Sequence, residues 1–194
     1  MDDSAEQYDA TRYAFKPSLV GVPSEFILDD AAIEWRSGAR TVRVLYRDIK
    51  QIRLLYRPVS LQSYRFVAEV KSRTGIKFTI ASTSWHSLVE HQSHGPQYKA
   101  FIAELHRRVA ATGSPVNYIA GSPAFLYWLG LLVFSGLMLA AASLAFRAMQ
   151  GGEWQATVFI ALMLGFFLWQ TGTFFRRNRP GPYAPDLLPE QVLP

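Results

Sequence analysis

The sequence predicts an α+β chain in two parts. A bent antiparallel β sheet or barrel capped by a C-terminal amphipathic helix comes first, and an α-helical transmembrane hairpin follows. Three observations predict this. Residues 24 to 82 alternate apolar and polar between turn signals, residues 96 to 113 carry one apolar stripe at helical spacing, and two uncharged runs occupy 124–146 and 154–175. Charge divides the chain the same way. The first 122 residues hold 16 of the 20 Lys+Arg and 12 of the 15 Asp+Glu, whereas Pro123 to Phe175 holds only Arg147 and Glu153.

The strands come first. Glu25-Phe26-Ile27-Leu28 ends at Asp29-Asp30, a compact turn. Ala32 to Trp35 stops at Ser37-Gly38, and Thr41 to Tyr46 alternates until Arg47-Asp48 breaks it. Ile49 to Tyr56 makes a fourth strand closed by Pro58. Tyr64 to Lys71 and Ile76 to Ala81 flank Thr74-Gly75, a hairpin signal. Pro96 opens a helical stretch in which Phe101, Leu105 and Val109 recur every fourth residue with Ile102 alongside, and Gly113 follows its end. The apolar stripe of such a helix plugs the open end of a small bent sheet. Residues 24–115 therefore form one domain. Residues 1–23, polar with Tyr8, Tyr13 and Phe15 scattered among them, read as a loosely ordered N-terminal arm.

Ala124 to Phe146 is uncharged and, at 1.5 Å per residue, spans roughly 34 Å, enough for the ~30 Å hydrocarbon core of a bilayer. Trp154 to Phe175 is a second such run, and the link from Arg147 to Glu153 contains Gly151-Gly152, so the spans are antiparallel neighbours. Arg107 and Arg108 precede the first span, and Arg176, Arg177 and Arg179 follow the second, against Arg147 alone between them. The positive-inside rule then places both termini in the cytoplasm. Tyr127, Trp128 and Trp154 stand where aromatic belts lie. No ionisable side chain lies within either span, which excludes a proton relay. Gly136 with Ala140, and Ala161 with Gly165, are small-xxx-small pairs that let backbones approach closely. They pack the hairpin against itself or bind another membrane subunit. Met1 to Glu6 is acidic and has no apolar core, unlike a secretory signal.

Several function classes drop out. With no cysteine there are neither disulfides nor thiolate metal sites. His86, His91 and His94 cluster beside Trp85, but H-x4-H-x2-H without cysteine is not a metal-ligand spacing. Ser82, Ser84 and Ser87 lack a Gly-x-Ser-x-Gly context, Glu34, Asp48, Glu69, Glu90 and Glu104 show no paired spacing, and no glycine-rich phosphate loop occurs. The expectation is therefore no enzyme, no cofactor, no metal and no small-molecule substrate. A net charge of +5 with acids interspersed, and no helix-turn-helix or zinc pattern, argues against nucleic acid. Arg43, Arg53 and Arg57 fall on strands at spacings that face solvent. They form either a solvated face or a contact for anionic lipid headgroups, each cation contributing ~1 kcal/mol near the surface. Five of the eleven prolines follow Phe175, so a continuous helix is impossible over residues 176–194, which form a Pro-rich cytoplasmic tail. Pro180, Pro182, Tyr183, Pro185, Leu187 and Leu188 make this tail extended and preorganised for docking, on its own β domain or on a partner.

Two short segments, Phe26-Ile27-Leu28-Asp29-Asp30 and Leu45-Tyr46-Arg47-Asp48-Ile49 with Ile52 three residues on, precede a strand-Gly-strand-helix ending. On these residues the stretch from Ser24 to Gly113 resembles the bacterial pleckstrin-homology-like (PH-like) family, in which a pair of membrane helices is a common companion. The resemblance implies a PH-like sheet capped by its C-terminal helix in a multi-pass protein of the bacterial inner membrane. Phosphoinositide-binding pleckstrin-homology domains resemble one another in a basic cluster at the first hairpin, where this chain has Asp29 and Asp30, which argues against inositol-phosphate binding. The expected role is a non-enzymatic binding or scaffold module, an accessory or assembly subunit of a membrane complex. Its partners would be membrane lipids and another membrane protein or a second copy. The alternative is an anionic-lipid-interacting protein that uses the Arg-bearing face.

Overall fold

A computed structural model of the chain describes residues 9–18, 21–58, 64–85 and 91–194. They form two compact units, one of the chain up to Gly121 together with Gly181–Pro194, the other Ser122–Pro180.

In the first unit β1 (Arg12–Phe15), β2 (Ser24–Leu28), β3 (Ala32–Ser37) and β4 (Arg40–Leu45) make an antiparallel meander in that order. The 3-10 turn Tyr46–Asp48 leads into β5 (Ile49–Pro58), β6 (Tyr64–Ser72) and β7 (Lys77–Ala81) of a second sheet. β8 (Thr83–Trp85) and β9 (His91–Ser93) pair with each other, and α1 (Gly95–Ala111) follows. Gly75 turns β6 into β7 at φ +88°, and a Cβ there would meet nothing, so backbone conformation alone calls for glycine. The stripe expected of α1 is fully buried: Phe101, Ile102, Leu105 and Val109, joined by Tyr98. Each such side chain removed from water contributes about 1.5–3 kcal/mol.

At Arg12–Phe15, β1 corrects the reading of residues 1–23 as a loosely ordered arm, of which residues 1–8, 19 and 20 lie outside the described residues. Tyr13 and Phe15 are buried, and Arg12↔Ile27 through Phe15↔Ser24 pair with β2. The Tyr13 ring lies 5.6 Å from Phe101 and 5.9 Å from Tyr98, and Phe15 stacks on Phe26 at 6.0 Å. The Tyr13 hydroxyl donates to the Ala81 carbonyl at 2.6 Å. Two aromatic residues spaced by one, each with a partner in the core, outweigh the polar residues around them.

The two short segments quoted above meet at one corner. The Tyr46 hydroxyl donates to the Asp29 carbonyl (2.7 Å), and the Tyr46 N–H to Ala31 O (3.0 Å). Arg108 of α1 donates from Nη1 to the Leu28 and Asp29 carbonyls (3.1 and 2.6 Å) and from Nε to Glu104 (2.6 Å). One arginine thus ties the β2–β3 turn to the capping helix.

In the other unit α2 (Ala124–Gln150) and α3 (Trp154–Arg177) form a helical hairpin, each helix long and apolar enough to cross a membrane. Neither is buried within the structure, and Leu132 and Trp169 are each 71% exposed. So broad an apolar surface fits lipid better than water. Besides Gly130, the half-buried positions of α2 are Tyr127, Leu131, Phe134, Met138, Ala141, Ala145 and Ala148, spaced alternately by four and three. Thr157, Ile160, Leu164, Thr171 and Phe174 follow the same rhythm on α3, the seam of a left-handed helix pair. Gly136, Ala140, Ala161 and Gly165 all fall off that seam on exposed faces, and a Cβ at Gly136 or Gly165 would meet nothing within 4 Å. Self-packing of the hairpin, one of the two roles expected of these pairs, therefore does not run through them: the seam is formed by other residues, from Tyr127 and Phe134 to Ala141 and Ala148. Close approach occurs at Gly130, whose absent Cβ would touch the Phe175 ring at 3.8 Å, with Tyr127 and Phe134 flanking that ring.

Removing the Arg108 fork by Arg108→Ala leaves two carbonyls and Glu104 short of a donor and is expected to destabilise the β unit by about 2 kcal/mol. The Arg107 and Arg108 bonds hold the Glu104 carboxyl down at about 2, below its ordinary 4.5. The stability it contributes is complete above pH 4.5 and lost as pH falls towards 2. Thermal unfolding of the full chain in detergent should show that loss, and Glu104→Gln should flatten it.

Candidate functional site

The residues around the hairpin's attachment carry the most unusual structure. Left alone, β5 would be an edge strand with a row of unpaired backbone groups. β10 (Asn117–Ala120) adds to it in parallel, from Asn117↔Gln51 to Ala120↔Leu54, and Gly121 N–H then donates to Leu54 O at 2.8 Å. β11 (Gly181–Pro182) pairs antiparallel with β10, Ile119↔Pro182 and Ala120↔Gly181, so the second sheet runs β11-β10-β5-β6-β7. The strand that enters the hairpin and the strand that leaves it are hydrogen-bonded neighbours. The domain therefore extends past residue 115, and its last pieces come after the hairpin.

The tail continues along the same unit. Tyr183 N–H donates to Tyr118 O at 3.2 Å, and the Tyr183 hydroxyl lies 2.7 Å from Nε2 of the fully buried His106. The other ring nitrogen, Nδ1, is 2.7 Å from the Ile102 carbonyl. A carbonyl only accepts, so Nδ1 carries the proton and Nε2 accepts from Tyr183. Tyr118 completes the cluster, its ring 5.4 Å from His106 and 5.8 Å from Tyr183. Burial pushes the His106 pKa down to about 4 and raises that of Tyr183, so both are neutral near pH 7.

Pro182 lies in β11 with its side chain exposed, and Pro185 and Leu188 line a shallow groove against Ala103, Arg107 and Ala110 of α1. Leu187 points to solvent, 74% exposed. Pro180 belongs to the hairpin unit. The 3-10 turn Glu190–Val192 lies against β5, with Val192 and Leu193 buried. His106, Tyr118, Val192 and Leu193 thus carry contacts that sequence reasoning missed. The one available signal was Val192-Leu193, an apolar pair closed off by Pro189 and Pro194.

The three candidate arginines are not brought together on one strand. Arg43 is on β4 of the first sheet, Arg53 and Arg57 on β5 of the second. Each has an acceptor: Asp29 for Arg43 at 3.5 Å, the Gly121 carbonyl for Arg53 at 3.3 Å, and Glu69 for Arg57 at 3.0 Å. The two exposed ion pairs contribute at most about 1 kcal/mol each, yet they leave less free charge on Arg43 and Arg57 for a headgroup, whereas the carbonyl leaves the charge of Arg53 in place. Of the three clustered histidines, His86 lies outside the described residues, and His94 Nδ1 is 3.1 Å from Gln97 Oε1. Among the described residues, no three His, Asp or Glu side chains are grouped to hold a metal.

Tyr183→Phe removes the only hydroxyl that the His106 Nε2 bond uses and should lower stability by about 1–2 kcal/mol. Because the folded pKa of His106 lies below its ordinary 6.5, the stability tied to its neutral form is complete above pH 6.5 and lost as pH falls towards 4. Unfolding midpoints measured across that window should fall in the wild type and change less in His106→Gln. Compared with known proteins, the chain matches no family model, no curated protein and no solved structure.

Proposed function

We propose that the chain is a membrane-anchored binding or scaffold module without chemistry of its own, an accessory or assembly subunit of a membrane complex in the bacterial inner membrane. The observation that carries this reading is the pairing of β10 with β11. A simple tether needs one connection to its cargo domain, whereas here the strands that precede and follow an apolar hairpin are paired with each other in the domain's own sheet. Such an arrangement serves a domain whose work is to present a surface beside a membrane. A PH-like identity is supported by the order of four strands, three strands and a helix packed through one apolar stripe. The carboxylates already held by Arg43 and Arg57 favour a protein partner over a lipid-reading arginine face.

Paired flanks support both ends of the hairpin lying on the same side, which requires an even number of crossings. Arg107, Arg108, Arg176, Arg177 and Arg179 on that side, against Arg147 at the tip, favour the cytoplasm. The native chain has no cysteine, so single cysteines report cleanly. A membrane-impermeant maleimide added to intact spheroplasts should label Glu153→Cys and spare Leu187→Cys until the membrane is opened. The reverse pattern would overturn the topology. Purification from native membranes in mild detergent should bring down a partner in fixed stoichiometry, and recovery of the chain with lipid alone would overturn the scaffold reading.

A further inference from the structure

We propose that the groove between α1 and the tail is an interface with a second copy of this chain, in which Leu187 of each copy enters the groove of the other. The inference goes beyond the scaffold reading and stands or falls without it. Ala103, Arg107 and Ala110, exposed on one face of α1, form one wall, and Pro185, Asp186 and Leu188 of the tail form the other. Two alanines on the helix side leave a hollow of about 360 Å³, room for an aliphatic side chain.

The side chain that fits such a hollow stands beside it. Leu187 is 74% exposed, more than any other large apolar side chain of the β unit among the described residues. It is also held in place. Leu187 N–H donates to Ala184 O at 3.1 Å, closing a turn with Pro185 as its second residue, where the fixed φ of proline belongs. A projection ordered in advance costs little entropy to dock.

Charge makes the same surface complementary to itself. Glu104 serves two guanidinium groups, Arg108 through Nε (2.6 Å) and Arg107 through Nε and Nη2 (2.7 and 2.5 Å). One carboxylate against two arginines leaves one positive charge uncompensated, and Arg107 is the exposed member, 69% against 18% for Arg108. Across the groove Asp186 is exposed and forms no ion pair within the chain. The surface thus carries a hollow, a projection, a spare cation and a spare carboxylate. A two-fold axis matches each of these with its counterpart, twice over, which is the requirement of an isologous dimer. An unrelated partner would have to supply all four. Two copies held in one bilayer by their apolar hairpins meet at high effective concentration, so the patch need not reach the ~800 Å² per partner of soluble complexes.

The test places full-length Lys77→Cys, labelled with donor or acceptor dye at that exposed position of β7, in phosphatidylcholine vesicles and follows energy transfer as lipid dilutes the protein. Transfer should saturate with protein density and be competed by unlabelled chain. Adding Leu187→Asp should lower the association constant at least about tenfold. Arg107→Glu and Asp186→Lys, each with the unfolding midpoint of the parent, should each weaken association alone. Mixed with one another they should restore it, because both cross-pairs are then oppositely charged again. Absence of density-dependent transfer overturns the proposal, and so does transfer that Leu187→Asp leaves unchanged, which would place the contact elsewhere. Failure of the two charge variants to restore one another overturns the two-fold pairing. A different protein bound in fixed stoichiometry and lost in Leu187→Asp would assign the groove to that protein and overturn the second copy as its occupant.

Discussion

The open edge of β5 governs how this chain is assembled. Its backbone N–H and C=O groups need partners, and unpaired edges are where sheets recruit foreign strands. The chain fills the edge itself with β10, then covers β10 with β11. Because these two strands border the helical hairpin in sequence, satisfying the edge of one sheet also determines where the apolar segment leaves the domain and returns to it. It also closes one route to a partner: strand addition at β5, a common mode of peptide capture, is already used in cis.

The tail is consequently an integral part of the domain, although its composition suggests an appendage. Proline-rich chain makes few backbone bonds of its own, so it is held by what it inserts. Tyr183 reaches a histidine with no solvent exposure, and Val192 and Leu193 are buried. The His106 contact is exacting because each ring nitrogen has a single partner of one polarity, the Ile102 carbonyl on one side and the Tyr183 hydroxyl on the other. A protonated ring would have to turn that hydroxyl from donor to acceptor, in a place too dry to hold the charge. This is where packing, tautomer and chain path depend on one another most tightly.

What was legible in the sequence is what local pattern encodes. The alternation of β2 through β7, the glycine at the β6–β7 turn, the stripe of α1 and the two uncharged runs all read directly. What was illegible rests on partners far away in the chain. β10 has four residues and β11 two, too few for a periodicity to show, and β10 pairs in parallel, which no hairpin signal announces. β1 is hidden in a polar stretch because its two buried aromatics occupy only alternate positions of a four-residue strand. The small-residue pairs misled for a different reason. Spacing by four marks a helix face without saying which neighbour it meets, and on α2 that choice was made by Tyr127, Leu131, Phe134 and Met138. For the candidate arginines, sequence placed them on strands but could not show that Asp29, Glu69 and a backbone carbonyl would meet them first.

The order of the chain adds a last consequence. Synthesis runs from the N-terminus, so β1 to β7, α1 and β10 exist before the hairpin does, and β11, Tyr183, Val192 and Leu193 exist only after it. Until the chain returns, the outer edge of β10 is unpaired, Nε2 of His106 has no donor from Tyr183, and β5 lacks the 3-10 turn that lies against it. Each of these gaps is closed by residues that follow the hairpin in the chain. Completion of the β unit therefore waits on the last fourteen residues, Gly181–Pro194: without them the sheet edge stays open and the buried histidine unanswered.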